Sequence, residues 1–528
     1  MRRPMHYPWY WLLLLCAGYL TAALAWALPY RGIPSDDIHN YATFLETGRR
    51  ADAAGWQRLI TGAQNPGYRL LLAVADVPLA RCGLPVRTTL AVIAAAAHAL
   101  TLLLGCCLLW QAHGRRPLLL AAALLWLVAP WPAFYLVWNF YAPVAATATM
   151  LLVAVLSPYR RRCPAWHTWL AITVAAAALY SITPSAPVIL LAGGLAAVLT
   201  RPGVPNVIRF RRAALVALAV AGSVLLARLF VPRLAGHWLE NPGNHADLAR
   251  QLWGSAPAAP WLSFWRYLAV HEPALTVPGL LLPLAYALLR DREQRRRQLV
   301  WLLVMTVWFH TLLVDVLPFT KLARTQFVLY PLLGVALLCM VQAMVARWCT
   351  RLGRVLLLLL LAALLQTNAQ QVAAYRGRND AAYAWLAAVC RDGEILLLRE
   401  DPHARFLPRW LAGLSFRPVG VEELARLRSA PPARPTVLLI GPHGAGSGKT
   451  FFYAGMAADY HLPELLPAAD AVLPYHAYFP PILLEEEICT GLLYAGRVPD
   501  YRLPRANLSA WIMGGADRVP APRTTTPG

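Results

Sequence analysis

Two adjacent carboxylates stand just past the first long apolar run. They are Asp36 and Asp37, in the string PSDDIHNYATF, with His39 and Tyr41 close behind. Pro34-Ser35 is a helix-start signal with Ser35 as N-cap, so both Asp residues fall in the first turn of a short helix that Gly48 would end. The positive end of the helix dipole keeps a carboxylate there ionised, and an ionised, positioned carboxylate can take a proton from a hydroxyl as a general base. The plainer role is structural. Such a carboxylate stabilises a helix start by about 0.3–1 kcal/mol and need do nothing else. Placement weighs against that plainer role, because the pair follows directly on the first apolar segment of a chain that has many.

Cationic groups that could answer a phosphate are Lys321 and Arg324, in PFTKLARTQFVLYPLLG, with Arg69 and His271 behind them. They could stabilise charge on a departing phosphate or extend their stems to lipid headgroups. The stretch GPHGAGSGKT nearly forms a nucleotide phosphate loop. Gly448-Lys449-Thr450 fit its end, but the first glycine is required at the position of His443, and Gly441 comes too early. It reads as a glycine-rich loop whose backbone N–H groups could at most cradle an anion. Glu485-Glu486-Glu487 reads as a solvated face. No cysteine pair has metal-site spacing. No metal-ligand set is assigned; charge on a departing phosphate needs cationic donors or a divalent metal, and the sequence leaves both open. Cys390 and Cys489, in the polar C-terminal region, could pair in an oxidising compartment.

The elements that must position these groups are apolar helices. The 528 residues are 58% hydrophobic and 14% charged, with a mean hydropathy of +0.47, which excludes an ordinary water-soluble enzyme. Spans are expected at about 9–29, 86–111, 117–138, 140–156, 168–184, 186–200, 213–231, 275–290, 298–317, 326–346 and 355–371. The net charge of +22 comes almost wholly from arginines clustered between spans. That pattern speaks for topology and against a nucleic-acid partner. Arg115-Arg116, Arg160 to Arg162, Arg209 to Arg212, Arg290 to Arg297 and Arg347 to Arg354 all fall on one side under a single assignment, with Arg2 and Arg3. By the positive-inside rule the N-terminus is cytoplasmic and the first helix is retained rather than cleaved. Three regions then lie outside: a loop at 30–85, a loop at 232–274 and a polar C-terminal region.

The fold class expected is therefore a polytopic α-helical membrane protein of about eleven transmembrane helices with a small extracytoplasmic C-terminal α/β domain. The domain boundaries are 1–371 for the membrane part, 372–515 for the soluble part and 516–528 for a disordered tail. Within the first outer loop, Asn65-Pro66-Gly67-Tyr68-Arg69 opens an amphipathic run too charged and short to span, which belongs in the interface. In the C-terminal region helices are expected at 379–390 and 420–428, and strands at Glu394–Leu398 and Thr436–Ile440.

This layout resembles the GT-C superfamily of membrane glycosyltransferases. It is similar in particular to the polyprenyl-phosphate-sugar transferases: protein O-mannosyltransferases, lipid A aminoarabinose transferases and bacterial O-antigen glucosyltransferases. Those proteins carry an acidic pair in the first outer loop, matched by Asp36-Asp37 with His39 and Tyr41. They follow it with a Pro and Tyr, a Gly and an Arg before the second span, matched by Pro66, Tyr68, Gly83 and Arg87. A late loop has a basic residue before a span with Tyr and Pro, matched by Lys321, Arg324, Tyr330 and Pro331. The second acid is Asp where Glu is commoner.

The resemblance implies transfer of a sugar from a polyprenyl-phosphate donor to a glycan, lipid or protein acceptor at the outer face of a bacterial inner membrane. It implies Asp36 or Asp37 as base and inversion at the anomeric carbon. Lys321, Arg324, Arg69 and His271 would stand at the donor phosphate, and His39, Tyr41 and Tyr68 would line the substrate site. Two other classes stay open: a transporter or flippase of a lipid-linked sugar, and a non-catalytic cell-envelope assembly protein. A transporter would show repeated halves and paired charges at mid-membrane depth, and the sequence has neither.

Overall fold

The computed structural model describes residues 9–29, 31, 36–61, 66–113, 141–157, 165–182, 186–199, 204–230, 265, 273–288, 294–316, 329–347, six single positions between 351 and 366, 379–399, 407–444, 469–474 and 506–514. The chain divides into two compact units. One comprises Met1–Leu28, Asn40–Asn368 and Leu492–Val498; the other comprises Pro29–His39, Ala369–Gly491 and Pro499–Gly528.

The described residues of the first unit are almost all helical. Its elements are α1 (Trp9–Ala27), most of α2 (Asp36–Gly48), α3 (Ala53–Thr61), α4 (Pro66–Arg81), α5 (Val86–His113), α6 (Tyr141–Leu156), α7 (Ala165–Ile182), α8 (Ala186–Leu199), α9 (Asn206–Phe230), α10 (Pro273–Leu280), α11 (Leu282–Leu288), α12 (Gln294–Val316) and α13 (Leu329–Arg347). The expected span at 117–138 lies outside the described residues, and so does nearly all of that at 355–371. Among the described residues, one helical stretch is by itself long and apolar enough to cross a membrane, Val86–Ala112. At about 1.5 Å per residue its 27 residues exceed the roughly 30 Å of a hydrocarbon core. Shorter apolar helical stretches include Ala146–Leu156, Leu190–Leu199 and Pro331–Met340.

Packing in this unit follows small residues and hydroxyls. Ala91, Ala94, Ala95 and Ala99 on α5 are buried, and α1 packs on α5, as small side chains allow. Thr101 and Thr147 share a hydrogen bond of 2.9 Å, and Thr147 also donates to the Ala97 carbonyl at 2.8 Å, tying α5 to α6. Arg296, at the start of α12, donates to the Ala112 carbonyl at the end of α5 (2.9 Å). Those two helix ends are ones the arginine pattern assigns to the same face. Large apolar side chains also point outward: on α9, Leu218, Leu225 and Leu229 are 66%, 59% and 67% exposed. That surface suits hydrocarbon rather than water.

The segment expected as one span at 275–290 is broken. α10 and α11 are separated at Leu281. Pro283 carries no N–H and its ring crowds the preceding turn, which interrupts the helix there.

The second unit contains a five-stranded mixed sheet in the order β2-β1-β3-β5-β4, from β1 (Glu394–Leu398), β2 (Phe416–Val419), β3 (Thr436–Gly444), β4 (Ala471–Pro474) and β5 (Ala506–Gly514). β1 is parallel to β2 and β3, while β5 runs antiparallel to β3 and β4. Ile395 to Leu398 are all buried, as expected of a parallel strand covered on both faces. Leu424 of the helix Val421–Ser429 packs with Leu396, Leu398, Val419, Leu438 and Ile440. Arg417 on β2 binds Glu394 at 2.9 Å and also Glu423, joining strand, neighbour and helix. Cys390 is a free, half-buried thiol, and burial pushes its pKa up to about 11. Cys489, with which it could pair, lies outside the described residues. Thiolate is the reacting form, so at pH 8 Cys390 is expected to alkylate about 100-fold more slowly than an unperturbed thiol. Mass-spectrometric labelling kinetics on the intact chain, against N-acetylcysteine as the reference thiol, measure this directly.

Candidate active site

α2 begins at Asp36 and ends at Gly48. The acidic pair therefore occupies the first turn of a helix, and His39 follows within the next residues. Only the backbone of these three is described. Ser35, the expected N-cap, lies outside the described residues. Gly48 does end α2, but it is needed for close approach. A Cβ there would enter the Trp56 ring, which packs edge-on against Phe44 with centroids 5.4 Å apart.

α3 was not expected from the sequence. Its start is capped by Asp52, whose side chain accepts the Gly55 N–H at 2.7 Å, a signal the sequence did carry. α4 begins at Pro66, which suits the first helical position because its missing N–H would be unsatisfied there anyway. Pro66, Tyr68, Leu72, Ala73 and Asp76 form its buried face, while Leu70, Val74 and Val77 are exposed on the opposite side.

Tyr41 of α2 and Tyr68 of α4 meet edge to face, with ring centroids 4.8 Å apart. Both are buried. Burial, with Tyr41 beside it, raises the Tyr68 pKa well above the usual phenol range, so the group stays a neutral hydroxyl donor. The next residue, Arg69, sits over the Phe44 ring at 5.0 Å and reaches the Leu59 carbonyl at 3.5 Å. α2, α3 and α4 thus bring Tyr41, Tyr68 and Arg69 together in one layer. His271, Lys321 and Arg324 lie outside the described residues.

The loop's two ends are also fixed. Arg87, at the start of α5, donates to the Leu28 carbonyl just past α1 (3.1 Å). Gly83 has φ +73°. Its N–H goes to Ala80 O at 2.9 Å and the Leu84 N–H to Leu79 O at 3.1 Å. This is a Schellman stop to α4, and glycine is the residue that takes the left-handed φ cheaply. In the second unit, Arg31 stacks on the Tyr383 ring at 3.5 Å and faces Asp380 at 3.9 Å, joining the stretch before the acidic pair to the helix at 379–389.

Among the described residues no group of three or more His, Cys, Asp or Glu side chains is placed to hold a metal. The glycine-rich stretch after Ile440 is in part strand: β3 continues through Gly444, pairing His443 with Asn507 and Gly444 with Ala506. A phosphate loop would need that backbone unpaired; residues 445–450 lie outside the described residues.

No family model matches this chain, and no curated protein matches it. Among solved structures it is similar to ArnT from Cupriavidus metallidurans. The apo crystal structure aligns at TM-score 0.46 and 12% identity, over 84% of this chain and 94% of that one. The structure bound to undecaprenyl phosphate aligns at TM-score 0.49 and 12% identity, over 96% and 100%. The structures to which this chain is similar are those of a GT-C family aminoarabinose transferase.

Proposed function

We propose that this protein is a membrane glycosyltransferase of the GT-C kind. It moves a sugar from a polyprenyl-phosphate donor to a glycan, lipid or protein acceptor at the extracytoplasmic face. The observation that carries the reading is the acidic pair at the first turn of α2, in a loop held at both ends, by Arg87 on the Leu28 carbonyl and by the Gly83 stop. The outward apolar face of α9 supports a membrane setting. In this reading residues 1–371 form the catalytic membrane part, 372–515 the outer domain, and the N-terminus is cytoplasmic.

The chemistry balances simply. Asp36, with Asp37 beside it, takes the proton of an acceptor hydroxyl as that oxygen bonds to the anomeric carbon. The bond from that carbon to the phosphate oxygen breaks, and polyprenyl phosphate leaves with the electron pair. Attack opposite the leaving phosphate inverts the centre. Lys321 and Arg324, with Arg69 and His271, answer the phosphate charge. His39, Tyr41 and Tyr68 shape the substrate side, the last two by fixing α2 on α4.

The test is transfer from a panel of radiolabelled polyprenyl-phosphate sugars into membranes holding the wild-type chain, Asp36→Asn or Asp37→Asn. Undecaprenyl phosphate is the carrier to build first. Label passed by wild type and lost in one variant supports the reading. A panel from which wild type transfers nothing moves the transporter and assembly readings ahead.

A further inference from the structure

Arg49 directly follows α2, and its guanidinium reaches three other segments, of the first loop and of α5. Its Nε donates to Asp76 Oδ2 at 2.9 Å and its Nη2 to Asp76 Oδ1 at 2.6 Å, a bidentate fork. Nη1 reaches the Leu84 carbonyl at 3.0 Å and Nη2 also approaches Thr89 Oγ1 at 3.3 Å. The Asp76 side chain is only 2% exposed. These acceptors belong to three elements: the buried face of α4, the turn after Gly83, and the first residues of α5. The Schellman stop at Gly83 uses the Leu84 N–H and leaves its carbonyl for the guanidinium. One side chain thus fixes the end of α2 to the helices that close the loop.

We infer that Arg49 is a positioning residue that sets the seat of α2, the helix that carries the acidic pair in its first turn, against α4 and α5. The inference rests on the proposed transferase reading. A carboxylate acting on a hydroxyl needs placement to a fraction of an ångström, and a shift of about 1 Å costs on the order of 100-fold in rate. Asp36 and Asp37 sit a helix-length away from Arg49, so any tilt at the Arg49 end is carried to them. A simple counter-charge for Asp76 would not require this geometry. Lysine could neutralise Asp76 as a point charge, but it cannot fork onto a carboxylate while holding a carbonyl and a hydroxyl.

The discriminating variant is therefore Arg49→Lys in the full chain, with Arg49→Gln/Asp76→Asn as a second variant that leaves no buried charge unpaired. Two readouts are taken: kcat and donor KM, and hydrogen exchange of the amides at 40–48. We expect both variants to accumulate normally in the membrane. We expect kcat to fall about 10- to 100-fold with donor KM within about threefold, and exchange at 40–48 to speed up. Wild-type kcat in Arg49→Lys overturns the inference, whatever exchange does, because the fork is then not needed for rate. A fall in kcat with unchanged exchange also overturns it, because Arg49 then acts otherwise than by seating α2. If the wild-type chain transfers no sugar, the transferase reading fails separately. Exchange alone then decides whether the clamp on α2 stands.

Discussion

Asp36→Asn is expected to lower sugar transfer by about 10²- to 10⁴-fold, the range a positioned general base contributes, with donor KM little changed. Asparagine keeps the size and shape of the side chain. What it loses is basicity and one negative charge at the helix dipole. The second loss is worth only about 0.3–1 kcal/mol, too little to unfold a chain of this size, so membrane level and unfolding temperature should hold. A loss confined to kcat marks an interaction made in the transition state rather than in binding. Asp37→Asn is expected to have the smaller effect, because Asp36 takes the first place of the pair. If both variants transfer at the wild-type rate, the base assigned here is wrong. An equal collapse of kcat and of membrane level would instead make the pair structural.

Gly393→Ala is expected to break open the second unit's sheet, at a cost of roughly 2–4 kcal/mol. Gly393 closes the turn between the helix at 379–389 and β1, donating to Cys390 O at 2.9 Å. Its neighbour Asp392 already takes a φ of 60°. A Cβ on Gly393 would press on the Pro435 carbonyl, and that carbonyl accepts the Glu394 N–H at 3.0 Å where the β1–β3 ladder starts. The obstacle is main chain, so no rotamer change relieves it. Relief must come from moving β1 off β3, and both are central strands whose residues 395–398 and 437–439 are buried. Hydrogen exchange on the full chain should show lost protection at 394–398 and 436–440. Gly18→Ala is the control: a Cβ there meets nothing within 4 Å. Equal protection in Gly393→Ala and wild type would show that the turn yields more easily than its geometry suggests.

Local signals carried much of this architecture. Pro66 marks the start of α4, Gly48 the end of α2 and Asp36 its beginning, because caps and breakers act within a turn of the chain. Runs of Leu and Ala place α5 to α9, α12 and α13 to within a few residues, apart from the earlier start of α9, since hydropathy is read residue by residue. In the second unit β1 and the helix Val421–Ser429 fall where strand and helix were expected.

What local reading could not supply is pairing across distance. Nothing in the spacing of Arg49 and Asp76, 27 residues apart, says that they meet. β2, β4 and β5 are short or carry Gly and Pro, and β5 pairs with β3 and β4, both distant in sequence. The split at Leu281 was legible in Pro278 and Pro283, but the apolar run outweighs them when the eye looks for a span. For the candidate site, sequence marked the acidic pair through its position. The aromatic contacts of Tyr41 with Tyr68 and of Phe44 with Trp56 emerge only once α2, α3 and α4 are packed.

The strand order also sets a timetable for synthesis. β1, β2 and β3 are neighbours in the sheet and leave the ribosome together. Among the described residues the next strand, β4, pairs with β5 alone. β5 inserts between β3 and β4, and it is translated last of the five. At about 5–20 residues per second, the stretch from β3 to β5 takes several seconds to make. Through that interval, among the described strands, the β3 edge that takes β5 is open and β4 lacks β5, the kind of exposed strand that recruits wrong neighbours. A chain cut short before residue 506 would lack β5, and β3 and β4 would then have no strand between them.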